Sequence, residues 1–380
     1  MPNILIWESL SILAGGQKVA LQILDALNKN YKCIFLIPEE GPLTTELKKR
    51  NINYYKLDIG QYTIGKKTLF DIIKYLIKTP EIFLRAYKII KKEEVRLIYV
   101  NAARNFLWSA LLGNIMSISV IWHIHNYFHD NKSKYIIKKI GKFKSVKKIV
   151  FVADSVKQHF PTLNPKSIVI HNGIDIGKFL SSNIKKSNIR REFGIHNFKK
   201  IIVTIGWIMP TKRQEILLRA IPLVLKQIKD VHFLFVGGKR AGYESYFEKL
   251  LCMTNKLGIK DYVTFTGHRH DIPEIMNIAF INVITSEEAF PLTLLEGWAS
   301  GVPTVGPDFG SIPELIKDRK TGLIYDHKSP DDLSEKILIL LKDKRQYEKI
   351  RKFSLSISKR FDIQRFKKDI NNLVREVLSK

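Results

Sequence analysis

Short apolar runs alternate with longer amphipathic stretches through both halves of this chain. Runs of strand length occur in the first half at Ile4–Trp7, Cys33–Ile37, Asn53–Leu57, Arg96–Val100, Val120–His125 and Lys148–Ala153. They recur in the second half at Lys200–Ile205, His232–Val236, Tyr262–Thr266 and Ile281–Ile284. Helical patterns separate them, as in Gln17–Leu27, where apolar residues repeat at helical spacing. Repeated strand and helix units of this kind predict an α/β fold with doubly wound parallel sheets.

The recurrence of this pattern indicates two domains, and a length of 380 residues agrees with that number. The segment Ser181–Asn188 is polar and poor in apolar side chains, so it is the predicted linker. The segment Phe361–Leu378 carries an apolar stripe along one side and predicts an amphipathic final helix. The uncharged stretch Asn105–Trp122 is interrupted by polar residues, which favours a buried helix and strand over a membrane span.

Composition and cysteine content indicate the class of protein and the compartment in which it folds. With 45% hydrophobic and 26% charged residues, the chain is typical of globular domains that bury sizeable cores. Cys33 and Cys252 lie in different halves and offer neither a disulfide framework nor metal-ligand spacing. Because no signal-peptide pattern is present either, we expect a cytoplasmic protein.

The net charge of +27 is shared by both halves, with +15 in residues 1–180 and +12 in the remainder. This excess favours acidic partners such as nucleotide diphosphates and anionic lipid headgroups, although a lysine-rich composition alone would also produce it. No nucleic-acid-binding motif is present, so we expect no nucleic-acid partner. Two basic amphipathic regions, Leu69–Lys91 (expected to break near Pro80) and Lys132–Lys148, suit either contact with the cytoplasmic face of the plasma membrane or plain solvation.

The stretch Ile281–Leu315 carries the strongest chemical signal. Its apolar run is followed by a polar turn and then by a helical pattern over Phe290–Ser300, with Pro291 suited to the first turn. A helix that starts just after a strand presents unpaired N–H groups and a partial positive charge to an anion. Glu288 in the turn and Glu296 on the helix, eight positions apart, place two carboxylates at that end.

The spacing Glu288-x7-Glu296, followed by Ala299, Gly301-Val302-Pro303, Gly310 and Glu314, resembles the family 4 glycosyltransferases. These enzymes retain anomeric configuration, use nucleotide sugars and have the GT-B fold, in which two Rossmann-like domains face a central cleft. The resemblance implies an acceptor-binding domain over residues 1–182, rejoined by the final helix at 361–380, and a donor-binding domain over residues 183–360. It implies that Glu296 binds the ribose and that Glu288 binds a hydroxyl group of the sugar. Alternatively, Glu288 is a general base or a nucleophile.

The same resemblance implies further site residues. His125, at the end of the fifth strand, would contact the donor sugar near the reacting carbon, although His123 shares its face and competes for that role. Gly15 and Gly16, in a loop after the first strand, would face the donor diphosphate. The backbone N–H groups of Phe290 and Leu292 would also bind the diphosphate and sugar.

The donor site departs from the family pattern at one position and has one further candidate residue. The family places an arginine where this chain has Trp207 and keeps a lysine at Lys212, so Arg213 would replace the missing cation. Arg269 follows a strand at the position that lies against the nucleobase in the family. No D-x-D string occurs, so we expect no metal and no cofactor beyond the nucleotide-sugar co-substrate, UDP- or GDP-linked.

The resulting expectation is a metal-independent hexosyltransferase with a glycan or lipid-linked acceptor, acting in surface polysaccharide or lipopolysaccharide biosynthesis. Two alternatives remain open. One is another GT-B enzyme, a nucleotide-sugar epimerase or an inverting transferase. The other is a non-catalytic basic protein that binds polyanions, for which binding would be strongly salt-dependent. The sequence decides neither the sugar and base nor the acceptor, linkage and oligomeric state.

Overall fold

A computed structural model describes residues 1–60, 69–180 and 186–379. The chain folds as two compact units, which we call the N-terminal unit (residues 1–172 with 364–380) and the C-terminal unit (residues 173–363). These limits lie ten and three residues from the predicted domain limits. Residues 181–185 of the predicted linker lie outside the described part, and Lys186 begins a helix.

The first half of the chain alternates strands and helices as the apolar pattern predicts. Its elements are β1 (Asn3–Trp7), α1 (Gly15–Leu27), β2 (Lys32–Ile37), α2 (Pro42–Lys49), β3 (Tyr54–Lys56), α3 (Leu69–Lys92), β4 (Val95–Val100), α4 (Phe106–Met116), β5 (Ser119–Ile124), α5 (Asn131–Ile140), β6 (Val146–Phe151), α6 (Asp154–Lys157) and β7 (Ser167–Val169). The expected buried helix and strand within Asn105–Trp122 are α4 and the start of β5. Within the described residues, no helix is both long and apolar enough to cross a membrane.

The second half repeats the alternation and ends in helices. Its elements are α7 (Ile176–Leu180), α8 (Lys186–Glu192), β8 (Lys200–Ile205), α9 (Gln214–Leu225), β9 (Val231–Val236), α10 (Glu244–Lys256), β10 (Val263–Gly267), α11 (Ile272–Ile278), β11 (Ala279–Val283), α12 (Leu292–Ala299), β12 (Thr304–Pro307), α13 (Ile312–Leu315), β13 (Leu323–Tyr325), α14 (Pro330–Lys342), α15 (Lys344–Ser358) and α16 (Ile363–Leu378).

Each unit contains one parallel sheet. Among the described residues, the N-terminal sheet has the strand order β3-β2-β1-β4-β5-β6-β7 and the C-terminal sheet has the order β10-β9-β8-β11-β12-β13. The order reverses direction between β1 and β4 in one sheet and between β8 and β11 in the other. Open α/β sheets bind ligands outside the carboxyl ends of the strands at such switch points. The topology therefore marks one candidate site in each unit.

The final helix belongs to the N-terminal unit from Gln364 onward. Its buried side chains match the predicted stripe: Phe366, Ile370, Leu373 and Val377, together with Val374. Polar contacts hold it there, because Lys148 pairs with Glu376 at 3.2 Å and Asn30 donates to Asn371 at 3.2 Å. The prediction of an amphipathic helix is thus confirmed, and its partner is the N-terminal unit.

Two local expectations were wrong. Helix α3 runs through Pro80 without a break, because Ile82, Ala86 and Ile90 bury its far end and Trp108 donates to Thr79 at 3.0 Å on its near end. Gly15 and Gly16 do not form a loop but are the first two residues of α1. In α3, tertiary packing thus overrides the local preference of proline.

Candidate functional site

A small polar cavity lies at the switch point of the C-terminal sheet. It is lined by Thr204, Ile205, Lys212, Gln214, Ile284, Thr285, Ser286, Glu288 and Thr293. These residues come from the carboxyl end of β8 and the segment that follows it, and from the loop after β11 and the start of α12. Strands β8 and β11 are neighbours in the sheet. The cavity therefore occupies the place where an α/β sheet of this order binds its ligand.

A cation and a carboxylate face each other in this cavity. Lys212 Nζ donates to Glu288 Oε1, and the Ser286 hydroxyl donates to the same oxygen at 2.7 Å. Both charged side chains are 26% exposed, so solvent and a ligand can reach them. The Thr285 hydroxyl donates to the Lys212 carbonyl at 2.5 Å, which ties the two loops together. Lys212 and Glu288, which the sequence assigns separately to the donor site, thus lie in one cavity.

Gly310 holds the Glu288 loop from the other side. Its φ of +68° suits glycine, and a Cβ at this position would lie 3.0 Å from the Glu288 carbonyl oxygen. The next residue, Ser311, donates to that oxygen from both its backbone N–H and its hydroxyl, each at 3.0 Å. The glycine in the family string therefore lets a neighbouring loop bind the backbone of Glu288.

Helix α12 starts at the cavity. Pro291 is the residue before the helix rather than part of its first turn, since its ψ of 107° is extended. Leu292 is the first helical residue, and its N–H has no intrahelical acceptor, as at any helix start. The Phe290 side chain is buried near Phe361, with ring centroids 6.0 Å apart, so only its backbone is suited to a ligand. Glu296 lies one turn further along and is partly buried.

Arg213 turns away from its neighbour Lys212. Its φ of +52° is left-handed, and its Nη2 donates to the His327 carbonyl at 2.9 Å while the guanidinium lies 5.2 Å from the Phe309 ring centre. The ring of Trp207 lies 5.8 Å from that of His268, and the Arg240 guanidinium lies 5.5 Å from Trp207. The sequence did not single out Arg240 or His268. Whether Arg213 replaces the missing arginine stays a prediction.

Arg269 is held by carboxylates. Its Nε donates to Asp271 at 2.8 Å, and its terminal nitrogens donate to both Asp271 and Glu192. Hydrogen bonds to these two carboxylates raise the pKa of Arg269 further above its ordinary value. The side chain links α8 to the start of α11, and its predicted contact with the nucleobase stays a prediction.

Among the residues that the structure describes, Asp308, Asp326 and His327 form a group that could hold a metal ion, with their ligand atoms within 4.8 Å of one another. His327 Nδ1 lies 2.6 Å from Asp308 Oδ1, and both aspartates are exposed. This group stands beside Phe309 and the Arg213 contact, not in the Lys212–Glu288 cavity. The expectation that the enzyme needs no metal stays a prediction.

The switch point of the N-terminal sheet carries a second polar cluster. Glu8, Asn101 and His125 directly follow β1, β4 and β5. His125 Nε2 lies 2.6 Å from Asn101 Oδ1, and Asn101 Nδ2 donates to Glu8 and, at 2.9 Å, to the Gly16 carbonyl. His123 is different, because it is buried inside β5 with its Nδ1 3.0 Å from the Tyr99 hydroxyl. Position thus separates the two histidines, with only His125 at the strand end.

Burial governs the ionisation of this cluster. It raises the pKa of Glu8 to about 7 and lowers the pKa of His125 to about 3. The imidazole is therefore neutral near neutral pH, while the carboxyl titrates there. Neither Glu8 nor Asn101 was predicted from the sequence. The available signal was a polar residue directly after each of two buried strands that neighbour each other.

Two family models match the chain. Glycosyltransferase Family 4 matches residues 13–178, and Glycosyl transferases group 1 matches residues 185–355. The chain is 29% identical over 226 residues to spore coat protein SA of Bacillus subtilis, a match that covers 55% of this chain but only 59% of that relative. It is 23% identical over 292 residues to a GDP-mannose-dependent alpha-(1-6)-phosphatidylinositol monomannoside mannosyltransferase of Mycolicibacterium smegmatis, covering 71% of this chain and 74% of that one.

Solved structures share the fold. Anabaena Alr3699/HepE in complex with UDP-glucose superposes with a TM-score of 0.85 at 19% identity, covering 98% of this chain and 99% of its own. The apo form of the lipopolysaccharide outer core galactosyltransferase WaaB superposes with a TM-score of 0.70 at 15% identity, covering 99% of each chain. Two parallel-sheet α/β units and these likenesses confirm the predicted GT-B fold. The chain belongs to the GT-B glycosyltransferases, with a Glycosyltransferase Family 4 region in its N-terminal half and a glycosyl transferases group 1 region in its C-terminal half.

Proposed function

We propose that this glycosyltransferase moves a hexose from a UDP- or GDP-linked donor to a glycan or lipid-linked acceptor, with retention of anomeric configuration and without a metal ion. The observation that carries the proposal is the Lys212–Glu288 pair in a polar cavity at the start of α12. The names of the relatives support a nucleotide-sugar donor, since one uses GDP-mannose and one solved structure contains UDP-glucose.

The donor would bind mainly to the C-terminal unit. Lys212 and the N–H groups at the start of α12 are suited to the diphosphate, because a cation and a helix start both attract phosphate oxygens. Glu288 accepts a sugar hydroxyl, and Glu296 accepts from the ribose hydroxyls. His125 contributes a neutral imidazole at the sugar, and the start of α1 at Gly15 and Gly16 offers backbone groups near the diphosphate.

Retention follows if the acceptor attacks from the face that the diphosphate leaves. The bond between the anomeric carbon and the diphosphate oxygen breaks while a bond to the acceptor oxygen forms on the same side. The acceptor proton passes to the departing phosphate oxygen, so no carboxylate nucleophile is needed. Lys212 and the start of α12 stabilise the charge that develops on that oxygen.

Donor binding is the first test. Purified protein is heated with a panel of UDP-, GDP- and ADP-sugars, and the midpoint of unfolding is recorded, because a bound ligand stabilises by mass action. We expect one nucleotide class to raise the midpoint, and Glu296→Ala to weaken its affinity at least tenfold, about 1.4 kcal/mol. Unchanged affinity in that variant would reject the ribose role.

Product stereochemistry tests the reaction class. With the donor identified by the panel, we expect NMR of the product to show the donor's own anomeric configuration. An inverted product would favour an inverting transferase, and interconversion of the donor without any acceptor would favour an epimerase. Salt-sensitive binding to polyanions without turnover of any nucleotide sugar would favour the non-catalytic reading.

Metal independence is tested directly. We expect transfer to continue in EDTA, because Lys212 and the helix start neutralise the diphosphate. Loss of activity that magnesium or manganese restores would contradict this expectation. In that case Asp308→Asn, which alters the group of Asp308, Asp326 and His327, would show whether that group supplies the metal site.

We further propose that the N-terminal unit touches the cytoplasmic face of an anionic membrane during synthesis of a surface polysaccharide or lipopolysaccharide. Helix α3 exposes large apolar side chains along its length: Phe70, Ile73, Leu76, Ile77 and Leu84. Helix α5 exposes Tyr135 and Ile136 beside Lys138 and Lys139. Apolar side chains flanked by lysines suit the boundary between headgroups and acyl chains.

Vesicle sedimentation in low salt tests this contact. We expect vesicles containing phosphatidylglycerol to bind the protein and neutral vesicles to bind little. The double variant Phe70→Ser/Ile77→Ser removes two side chains that are each 73% exposed and should lose most of that binding. Its matched control is Leu180→Ser/Phe198→Ser, which changes two exposed apolar residues of the C-terminal unit, 64% and 66% exposed. Equal binding to both vesicle types would remove the proposal.

A further inference from the structure

A chain of hydrogen bonds crosses three neighbouring strands at the switch point of the N-terminal sheet. Glu8, Asn101 and His125 directly follow β1, β4 and β5, which lie side by side. The carboxylate binds the amide, and the amide oxygen lies 2.6 Å from His125 Nε2. Hydrogen bonds therefore link the three side chains, although Asn101 lies 93 positions after Glu8 and 24 positions before His125.

The chain of hydrogen bonds has a direction. An ionised carboxylate and a backbone carbonyl only accept hydrogen bonds. Glu8 and the Gly16 carbonyl both accept from Asn101 Nδ2, so both protons of the amide are used there. This leaves Asn101 Oδ1, an acceptor, facing His125 Nε2. Nε2 must then carry the proton, and Nδ1 is left with the lone pair.

The burial of Glu8 shows that this arrangement is costly. Its side chain is 0% exposed, and among the ion pairs of the described residues none involves it. Its other contacts are neutral, from Gln17 at 3.2 Å and from the Ser9 N–H at 3.3 Å. A buried carboxyl without a cation is less favourable than an apolar residue of similar size at the same place. Packing alone does not account for it.

The neighbouring histidine provides an internal comparison. His123 has the Tyr99 hydroxyl at its Nδ1, and its Nε2 is buried with no hydrogen-bond partner among the described residues. A hydroxyl can donate or accept, so it does not select a tautomer. The two rings lie 4.0 Å apart, yet only His125 is joined to a group of fixed polarity.

We propose that Glu8 is a positioning residue that acts through Asn101 to hold His125 as the Nε2–H tautomer, which leaves Nδ1 to accept a hydrogen bond from a substrate hydroxyl. The tautomer itself depends only on the N-terminal unit. The use made of Nδ1 rests on the proposed function, because that function places His125 at the donor sugar. Glu8 touches no substrate in this scheme.

The test reads the tautomer directly. Protein labelled with ¹⁵N-histidine is studied without ligand at pH 8, and the His125 signals are assigned by their loss in His125→Gln. We expect wild type to show the Nε2–H form. Glu8→Gln leaves one carbonyl oxygen where two carboxylate oxygens accepted from Asn101, Gln17 and the Ser9 N–H, so an NH₂ group must face a donor. We therefore expect the ratio of Nε2–H to Nδ1–H to fall at least tenfold. Asn101→Leu, which removes the acceptor altogether, should do the same.

Tyr99→Phe is the matched control, because it deletes a buried hydrogen bond on the same sheet without touching His125. We expect it to change the His123 signals and leave the His125 ratio unchanged. An Nδ1–H or mixed form in wild type, or an unchanged ratio in both folded test variants, would overturn the proposal.

Kinetics then separate this inference from the proposed function. We expect Glu8→Gln to lower kcat at least tenfold while the affinity for the nucleotide diphosphate changes less than twofold, since the nucleotide binds mainly to the C-terminal unit in the proposed function. A shifted tautomer with full kcat would overturn the positioning role. If no nucleotide sugar is turned over by wild type while the tautomer results hold, the proposed function fails and the tautomer assignment stands.

Discussion

Two adjacent cations, Lys212 and Arg213, meet different neighbours because of one backbone angle. The left-handed φ of Arg213 sends its side chain to the His327 carbonyl, while Lys212 reaches Glu288. The sequence places both residues beside the diphosphate, but it does not reveal which one turns away. Only Lys212 lies in the cavity, so it is the cation on which donor binding should depend.

Lys212→Met keeps much of the side-chain length and removes the charge. We expect the dissociation constant of the preferred nucleotide diphosphate to rise about tenfold, because a charge-assisted contact to phosphate is lost. Isothermal titration measures this constant. Lys344→Met changes an exposed lysine of the same unit and should leave it unaltered. Equal constants for wild type and Lys212→Met would show that Lys212 does not bind the diphosphate.

At the scale of elements, the packing of α12 on β11 and β12 fixes the position of the loop that contains Glu288. Gly297 lets the helix approach closely, since a Cβ there would lie 2.8 Å from Thr304 Oγ1 and 3.0 Å from Asn282 Nδ2. These two buried side chains bind each other at 3.2 Å, and Asn282 also donates to the Thr293 carbonyl at 3.0 Å. The helix start is therefore fixed by a buried polar contact beneath it.

Gly297→Ala should destabilise the C-terminal unit by about 1–3 kcal/mol, because the added methyl group displaces these buried side chains. Urea unfolding followed by circular dichroism gives the change. Gly16→Ala is the control, since a Cβ on that helical glycine meets nothing within 4 Å, and it should leave stability unchanged or slightly higher. A Gly297→Ala protein as stable as wild type would show that the helix can shift freely.

For the whole molecule, much of the fold could be predicted from the sequence, because buried parallel strands are continuous apolar runs. Strand β12 (Thr304–Pro307) was not predicted, because it contains a glycine, ends in a proline and directly follows another proline. Two residues of the polar cavity, Lys212 and Glu288, were singled out from local patterns along the chain. The Glu8–Asn101–His125 cluster was not, because strand order brings these residues together and no local pattern encodes that order.

The buried carboxyl also predicts how stability depends on pH. Burial raises the pKa of Glu8 from 4.5 to about 7, so the folded protein holds this proton more tightly than the unfolded chain. The free energy of unfolding should therefore fall as pH rises from about 4.5 through 7. The lowered pKa values of His123 and His125 act oppositely, since they reduce stability as pH falls below 6.5.

Glu8→Gln isolates the carboxyl contribution, because both histidines remain. From pH 4.5 to pH 8, we expect the free energy of unfolding of the variant to rise by about 3 kcal/mol relative to that of wild type. Urea unfolding at several pH values gives the two curves. Parallel curves for the two proteins would mean that Glu8 titrates alike in the folded and unfolded chain.

The location of α16 has a practical consequence for dissecting the enzyme. A protein shortened to residue 363 would retain every residue of the C-terminal unit, yet it would strip Phe366, Ile370 and Val377 from the N-terminal unit. Removal of this C-terminal helix should thus destabilise the N-terminal unit, although the helix lies at the opposite end of the sequence. To obtain that half alone, residues 1–172 and 364–380 would have to be supplied together.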